Sequence, residues 1–185
     1  MILYRAFPRE RRAAADEPGG PLWWPRGLLG DGRHDNRGLY TCIYASETAI
    51  SPVAEALAPF RGAGELLPQM LVRGDRPLAL ATLSLPDEAE LVDLDDPAVL
   101  VEEELHPSQV ATRERARTQS QAARLFELHA AAAGLRWWSS LESLWINVTL
   151  FDRAAAQLQV AAVEPLSPAA DAVQEAAALL GLAPA

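Results

Sequence analysis

Arg33, Tyr44 and Glu55 follow one another at intervals of eleven residues, and Ser139 stands far downstream in Trp137-Trp138-Ser139-Ser140. A guanidinium grips a phosphate through two parallel hydrogen bonds, and a phenol ring offers a flat face to a planar group. A carboxylate steadies a developing cation, and a hydroxyl orients a sugar or an amide. Each residue also has a plain structural reading. Arg33 could close a turn with Asp31 or Asp35, Tyr44 could pack in a core, Glu55 could favour a helix dipole, and Ser139 could cap a turn. Glu47 is a rival carboxylate, and Asn147 is unusual on a strand that otherwise favours β-branched residues.

Residue supply removes several other chemistries. All 16 basic residues are Arg, so lysine Schiff bases and a phosphate loop ending in GK[ST] are excluded. No GxSxG elbow occurs, and His34, His106 and His129 lack metal-ligand spacing, so no metal is expected. Gly27, Gly30 and Gly32 read GxxGxG, the wrong order for a dinucleotide fold. A single cysteine, Cys42, forms no internal disulfide and agrees with a reducing cytoplasm.

The 185 residues carry a net charge of −9 and are 50% hydrophobic, which suits one domain with a real core. Nine acids and no base lie between Asp87 and Glu104, and the remaining 167 residues balance at 16 of each sign. That run reads as a solvated face or a docking surface for a basic partner. The charge argues against direct binding to nucleic acid, and no run is long and apolar enough to span a membrane.

The elements that must position these residues follow from periodicity. Strands are expected at 1–7, 41–46, 69–73, 78–85, 91–94 and 145–151, with 158–163 as a partner strand of the last. Residues 9–25 read as a loop or cover. Helices are expected at 52–60, over 107–133 with Gly134 as its stop, and from Ser167-Pro168 to Gly181. Four of the five tryptophans, Trp23, Trp24, Trp137 and Trp138, read as core or pocket wall. The fold class is α+β: a single-domain mixed sheet with flanking helices over 1–185, the motifs in 1–151 and a closing strand and helix in 157–182.

The ordered series resembles the RES domain family. Gly32-Arg33-His34-Asp35-Asn36 stands for its "GRW-N" turn and Ile43-Tyr44 for its "LY-A" strand. Ser51-Pro52-Val53-Ala54-Glu55 stands for its "TALAE" helix start, Gly134 to Ser139 for its "G-x-x-x-PS" turn, and Asn147 to Phe151 for its "N-x-x-x-F" strand. The resemblance implies an ADP-ribosyltransferase-like fold and an NAD-consuming toxin that breaks the nicotinamide–ribose bond, paired with an Xre-like helix-turn-helix antitoxin. It implies Arg33, Tyr44, Glu55 and Ser139 as the central residues. Arg5 and Asn147 would support them, with Arg5, Arg33, Tyr44 and Asn147 binding NAD as substrate. A buried Glu55 would stabilise the oxocarbenium-like cation. A homodimer is a further arrangement this reading allows. Asp35 sets a negative charge where a dinucleotide phosphate would lie, and the helix-start motif is altered, with Thr48-Ala49 early and Ser51-Pro52-Val53-Ala54 before Glu55. The two motivate a second reading, a catalytically inactive binding or assembly subunit with the acidic run as its contact surface. A third is transfer of ADP-ribose to protein or nucleic acid.

Overall fold

The computed structural model describes residues 1–26 and 30–183, so Gly27 of the glycine series lies outside the described residues. In chain order the elements begin with β1 (Ile2–Pro8), β2 (Cys42–Ser46), α1 (Ile50–Leu57), β3 (Gly64–Glu65), β4 (Val72–Arg73), β5 (Arg76–Ser84) and β6 (Leu91–Asp93). They continue with α2 (Pro97–Glu102), α3 (Pro107–Val110), α4 (Arg115–Leu128), β7 (Gly134–Trp138), β8 (Ile146–Phe151), β9 (Gln159–Pro165), α5 (Asp171–Leu180) and β10 (Leu182–Ala183). The class is α+β, with mixed strand pairing and flanking helices. The residues gather into two compact units, each drawn from separated segments: 1–23, 46–84 and 159–185 in one, 24–45 and 85–158 in the other.

In the first unit β5 is flanked by β1 and β9, both antiparallel to it. Leu3, Phe7, Ala79, Ala81 and Leu83 alternate onto one buried face, as a period of two requires. Helix α1 packs on β1 and α5, burying Ser51, Val53, Ala54 and Leu57. Helix α5 ends at Gly181 in the left-handed conformation, φ 70°, as the sequence predicts. Its start differs. The Ala170 N–H first bonds the Ser167 carbonyl, so that turn delays the helix to Asp171 with Ala170 as its N-cap. The expected strand at 69–73 is mostly a 3-10 turn over Pro68–Leu71, because Pro68 fixes φ and offers no N–H to a ladder. The loop at 9–25 is folded onto itself by Glu10 N–H to the Gly19 carbonyl and Leu22 N–H to the Ala15 carbonyl, 3.0 and 2.7 Å.

The second unit has the strand order β2-β8-β7-β6, with β7 antiparallel to β8 and parallel to β6. Because β8 has neighbours on both edges, the expected pairing of 158–163 with it finds no free edge. That segment, β9, pairs with β5 instead. Buried residues of every element in this unit share one core, centred on Tyr40, Phe126 and Phe151, whose rings lie 4.6 to 5.0 Å apart.

The single helix expected over 107–133 is broken into α3 and α4. The carbonyls of Val110 and Thr112, which an unbroken helix would spend on its own amides, are taken by the Arg33 side chain. Gly134 is not a helix stop but the first residue of β7. A Cβ there would lie 2.1 Å from the Thr149 carbonyl oxygen, so close strand approach requires glycine.

The acidic run is also not a uniformly solvated face. Asp96-Pro97 is the N-cap and first residue of α2, with Asp96 accepting from the Ala98 N–H at 2.8 Å. Asp93 binds Arg136 at 2.9 Å. Glu103 is buried and meets Arg124 at 3.1 Å and His129 Nε2 at 2.6 Å.

Candidate active site

The loop before β2 is built around one carboxylate. Asp35 Oδ2 accepts the N–H groups of Gly30 and Gly32 at 2.8 and 2.7 Å, a local side-chain-to-backbone closure typical of aspartate. Its Oδ1 accepts the Tyr44 hydroxyl at 2.7 Å and lies 3.5 Å from the Cys42 thiol. The Tyr44 hydroxyl in turn accepts the His34 N–H at 2.9 Å. A Cβ on residue 32 would fall 2.4 Å from Asp35 Oδ1 and 2.5 Å from the Tyr44 hydroxyl, so glycine supplies the space in which these groups meet. Burial, reinforced by the Cys42 and Asp35 charges, pushes the Tyr44 phenol well above its ordinary range. Cys42 is pushed up by burial and by the Asp35 charge.

Helix α4 clamps the outer side of the loop. Gln119 Nε2 donates to the Gly30 and Gly32 carbonyls at 3.0 and 2.9 Å, and the Thr118 hydroxyl donates to the Arg33 carbonyl at 2.6 Å. Arg33 is 5% exposed. One of its terminal nitrogens donates to the Val110 and Thr112 carbonyls at 2.9 and 2.6 Å, and its guanidinium carbon lies 4.9 Å from the Trp137 ring centre.

His34 meets the edge of the same indole, with ring centres 5.1 Å apart at 76°. Thr149 Oγ1 accepts the Trp137 Nε1–H at 3.0 Å and lies 2.8 Å from His34 Nδ1. With Thr149 Oγ1 accepting from the indole, its hydroxyl hydrogen is available to Nδ1 of a neutral His34. Burial, with the Arg33 and Arg115 charges behind it, pushes His34 down to about 3 and keeps the ring neutral.

The expected site residues divide between the two units. Arg33, Tyr44, Ser139 and Asn147 fall in the second. Arg33 and Tyr44 are joined through the Asp35 loop. Asn147 is buried on β8 in register with Trp137, the residue Arg33 covers. Ser139, also buried, follows β7 directly. Its N–H bonds the Trp145 carbonyl at 2.7 Å, and its Oγ accepts the Leu141 N–H at 3.1 Å, so the turn-capping reading describes part of its role. Arg5 and Glu55 fall in the first unit. Arg5 reaches from β1 to the carbonyls of Pro21 and Trp23 at 2.5 and 3.2 Å, tying down the 9–25 loop. Glu55 is exposed, not buried as expected. The face of α1 that carries Ser51, Val53, Ala54 and Leu57 points inward, and position 55 falls on the other side. Glu47, just past β2, is half-buried.

The sequence reading missed His34 and Asp35 as builders of the site, along with Thr118, Gln119 and Thr149. Thr149 carried a legible signal, since it shares a strand face with Asn147. Gln119 carried none, because a polar residue on an amphipathic helix reads as solvent-facing.

Arranged this way, the Arg33 guanidinium, the Tyr44 phenol and the Trp137 indole are each held by hydrogen bonds, to backbone carbonyls, a carboxylate and a hydroxyl respectively. A family model described as the RES domain matches residues 2–171, and the chain belongs to that family. In fold it is similar to a chain of the crystal structure of the M. tuberculosis MbcT–MbcA toxin–antitoxin complex. The TM-score is 0.64 at 20% identity, covering 96% of this chain and 88% of that one. No curated protein sequence matches it.

Proposed function

We propose that this protein consumes NAD by breaking the bond between nicotinamide and ribose, and that it is the toxin of a toxin–antitoxin pair. The observation that carries the reading is the match of residues 2–171 to the RES domain together with a preset Arg33–Tyr44 loop. The fold likeness to a member of a toxin–antitoxin complex supports an antitoxin partner. An Xre-like helix-turn-helix protein is the partner the family resemblance suggests.

Nicotinamide leaves a cationic ring as a neutral molecule, so no strong general acid is required. The developing charge is oxocarbenium-like and is lowered in energy by a carboxylate. The motif series gives that part to Glu55. Within the second unit Arg33 serves the pyrophosphate, the Tyr44 ring the nicotinamide, Ser139 a ribose or carboxamide, and Asn147 holds its neighbours in place. Positioning and electrostatics supply the rate.

The inactive-subunit reading has two grounds, Asp35 near a phosphate and the altered motif before Glu55. On the first, both oxygens of Asp35 accept from loop amides and Tyr44, which supports a structural part for it; the second ground stands beside the exposure of Glu55. Incubating the purified chain with NAD and following free nicotinamide tests the proposal. Parallel reactions with water alone, phosphate or added protein separate hydrolysis, phosphorolysis and ADP-ribosyl transfer.

A further inference from the structure

The Asp35 carboxylate is buried, and its hydrogen-bonding partners among the described residues are all neutral: two amides, a phenol and a thiol. Such a group gains little from being a base or a nucleophile, because the lone pairs those tasks need are already accepting hydrogen bonds. Its two oxygens do different work. Oδ2 gathers Gly30 and Gly32 and so closes the turn that presents Arg33, while Oδ1 reaches across to Tyr44 on β2. The phenol proton points to Asp35 and a phenol lone pair receives the His34 N–H, so the Tyr44 hydroxyl is spent on both sides. What Tyr44 offers a substrate is its ring.

We propose that Asp35 is a positioning residue that locks the Arg33 turn to the Tyr44 ring, with the Tyr44 hydroxyl serving as the tether and taking no part in proton transfer. The link to turnover rests on the NAD reading; the lock itself does not. An asparagine at this position cannot reproduce it. If its oxygen serves the two glycine amides, its NH2 faces a phenol whose proton then has no acceptor, and the reverse orientation sets NH2 against two N–H donors.

The test compares the full chain with Asp35→Asn, Tyr44→Phe and the double variant, below their melting temperatures. Nicotinamide release should fall about tenfold or more in kcat for each single variant, with KM little changed, since a small misplacement of positioned groups costs that much. The double variant should fall no further than the worse single, because both substitutions cut one connection. Losses that multiply, or an unchanged kcat in Asp35→Asn, overturn the proposal.

A wild-type chain that releases no nicotinamide removes the NAD reading, and amide NMR then decides the lock. The Gly30 and Gly32 resonances should move in Tyr44→Phe, although that substitution lies on another element, and should move again in Asp35→Asn. Resonances that stay fixed in Tyr44→Phe overturn the proposal, and this arm stands even where Asp35→Asn does not fold.

Discussion

The Tyr44 hydroxyl donates to Asp35 Oδ1 at 2.7 Å while it accepts the His34 backbone N–H at 2.9 Å, so one phenol holds two consecutive residues of the loop before β2. Removing that hydroxyl leaves a buried carboxylate oxygen short of a donor and a backbone amide short of an acceptor. Tyr44→Phe is expected to cost about 1–3 kcal/mol of stability. Urea unfolding should show a lower midpoint at unchanged slope, and an unchanged midpoint would mean that water replaces both bonds.

His34 sets a pH dependence. Its folded value near 3 lies below the ordinary 6.5, so the unfolded chain binds the proton more readily. Stability from this group is complete above about pH 6.5 and is lost as pH falls towards 3. At about 1.4 kcal/mol per unit, the loss by pH 5 is about 2 kcal/mol. Unfolding free energies of wild type and His34→Gln, followed from pH 8 to pH 5, should converge as the pH drops. Parallel curves would place the titration elsewhere.

The acidic run predicts a contrast between two of its members. Glu103 is 6% exposed and serves both Arg124 and His129, whereas Asp93 meets Arg136 at an open edge with its side chain 36% exposed. Glu103→Gln should cost about 1–3 kcal/mol, and Asp93→Asn less than about 1. Equal costs, measured by thermal or chemical unfolding, would contradict the burial difference.

At Gly134 a methyl group has nowhere to go, because the obstruction is the Thr149 carbonyl of the paired strand. Gly134→Ala should force β7 from β8 and cost about 1–3 kcal/mol or more. Gly38, whose added Cβ would meet nothing, supplies the control: Gly38→Ala should be close to neutral. Similar stability for the two variants would show that the strands give way easily.

The local grammar of the chain was readable. Strand alternation placed β1, β2, β5 and β8 within a residue or two, and Gly181 marked the end of α5. The family resemblance grouped Arg33 with Tyr44, and the connection between them runs through Asp35, which looked like an obstacle. What escaped was decided by long-range contacts. Nothing near residue 112 announces that a side chain 79 positions earlier will take its carbonyl and break a helix. Nor does the 158–163 pattern reveal that β8 has both edges filled. Asp96-Pro97 did announce α2, but its charge drew the eye to solvent. The exposure of Glu55 follows from which face of α1 carries the larger apolar residues, a choice that depends on its neighbours.

Release of nicotinamide from NAD by wild type and Glu55→Gln, measured side by side, tests the functional account most directly. The expected result is clear turnover by wild type and a clear loss in the variant, which lacks the carboxylate that the motif series assigns to the developing cation. A folded wild-type chain that leaves NAD intact, with and without phosphate, contradicts the account, and full activity in the variant removes Glu55 from the chemistry.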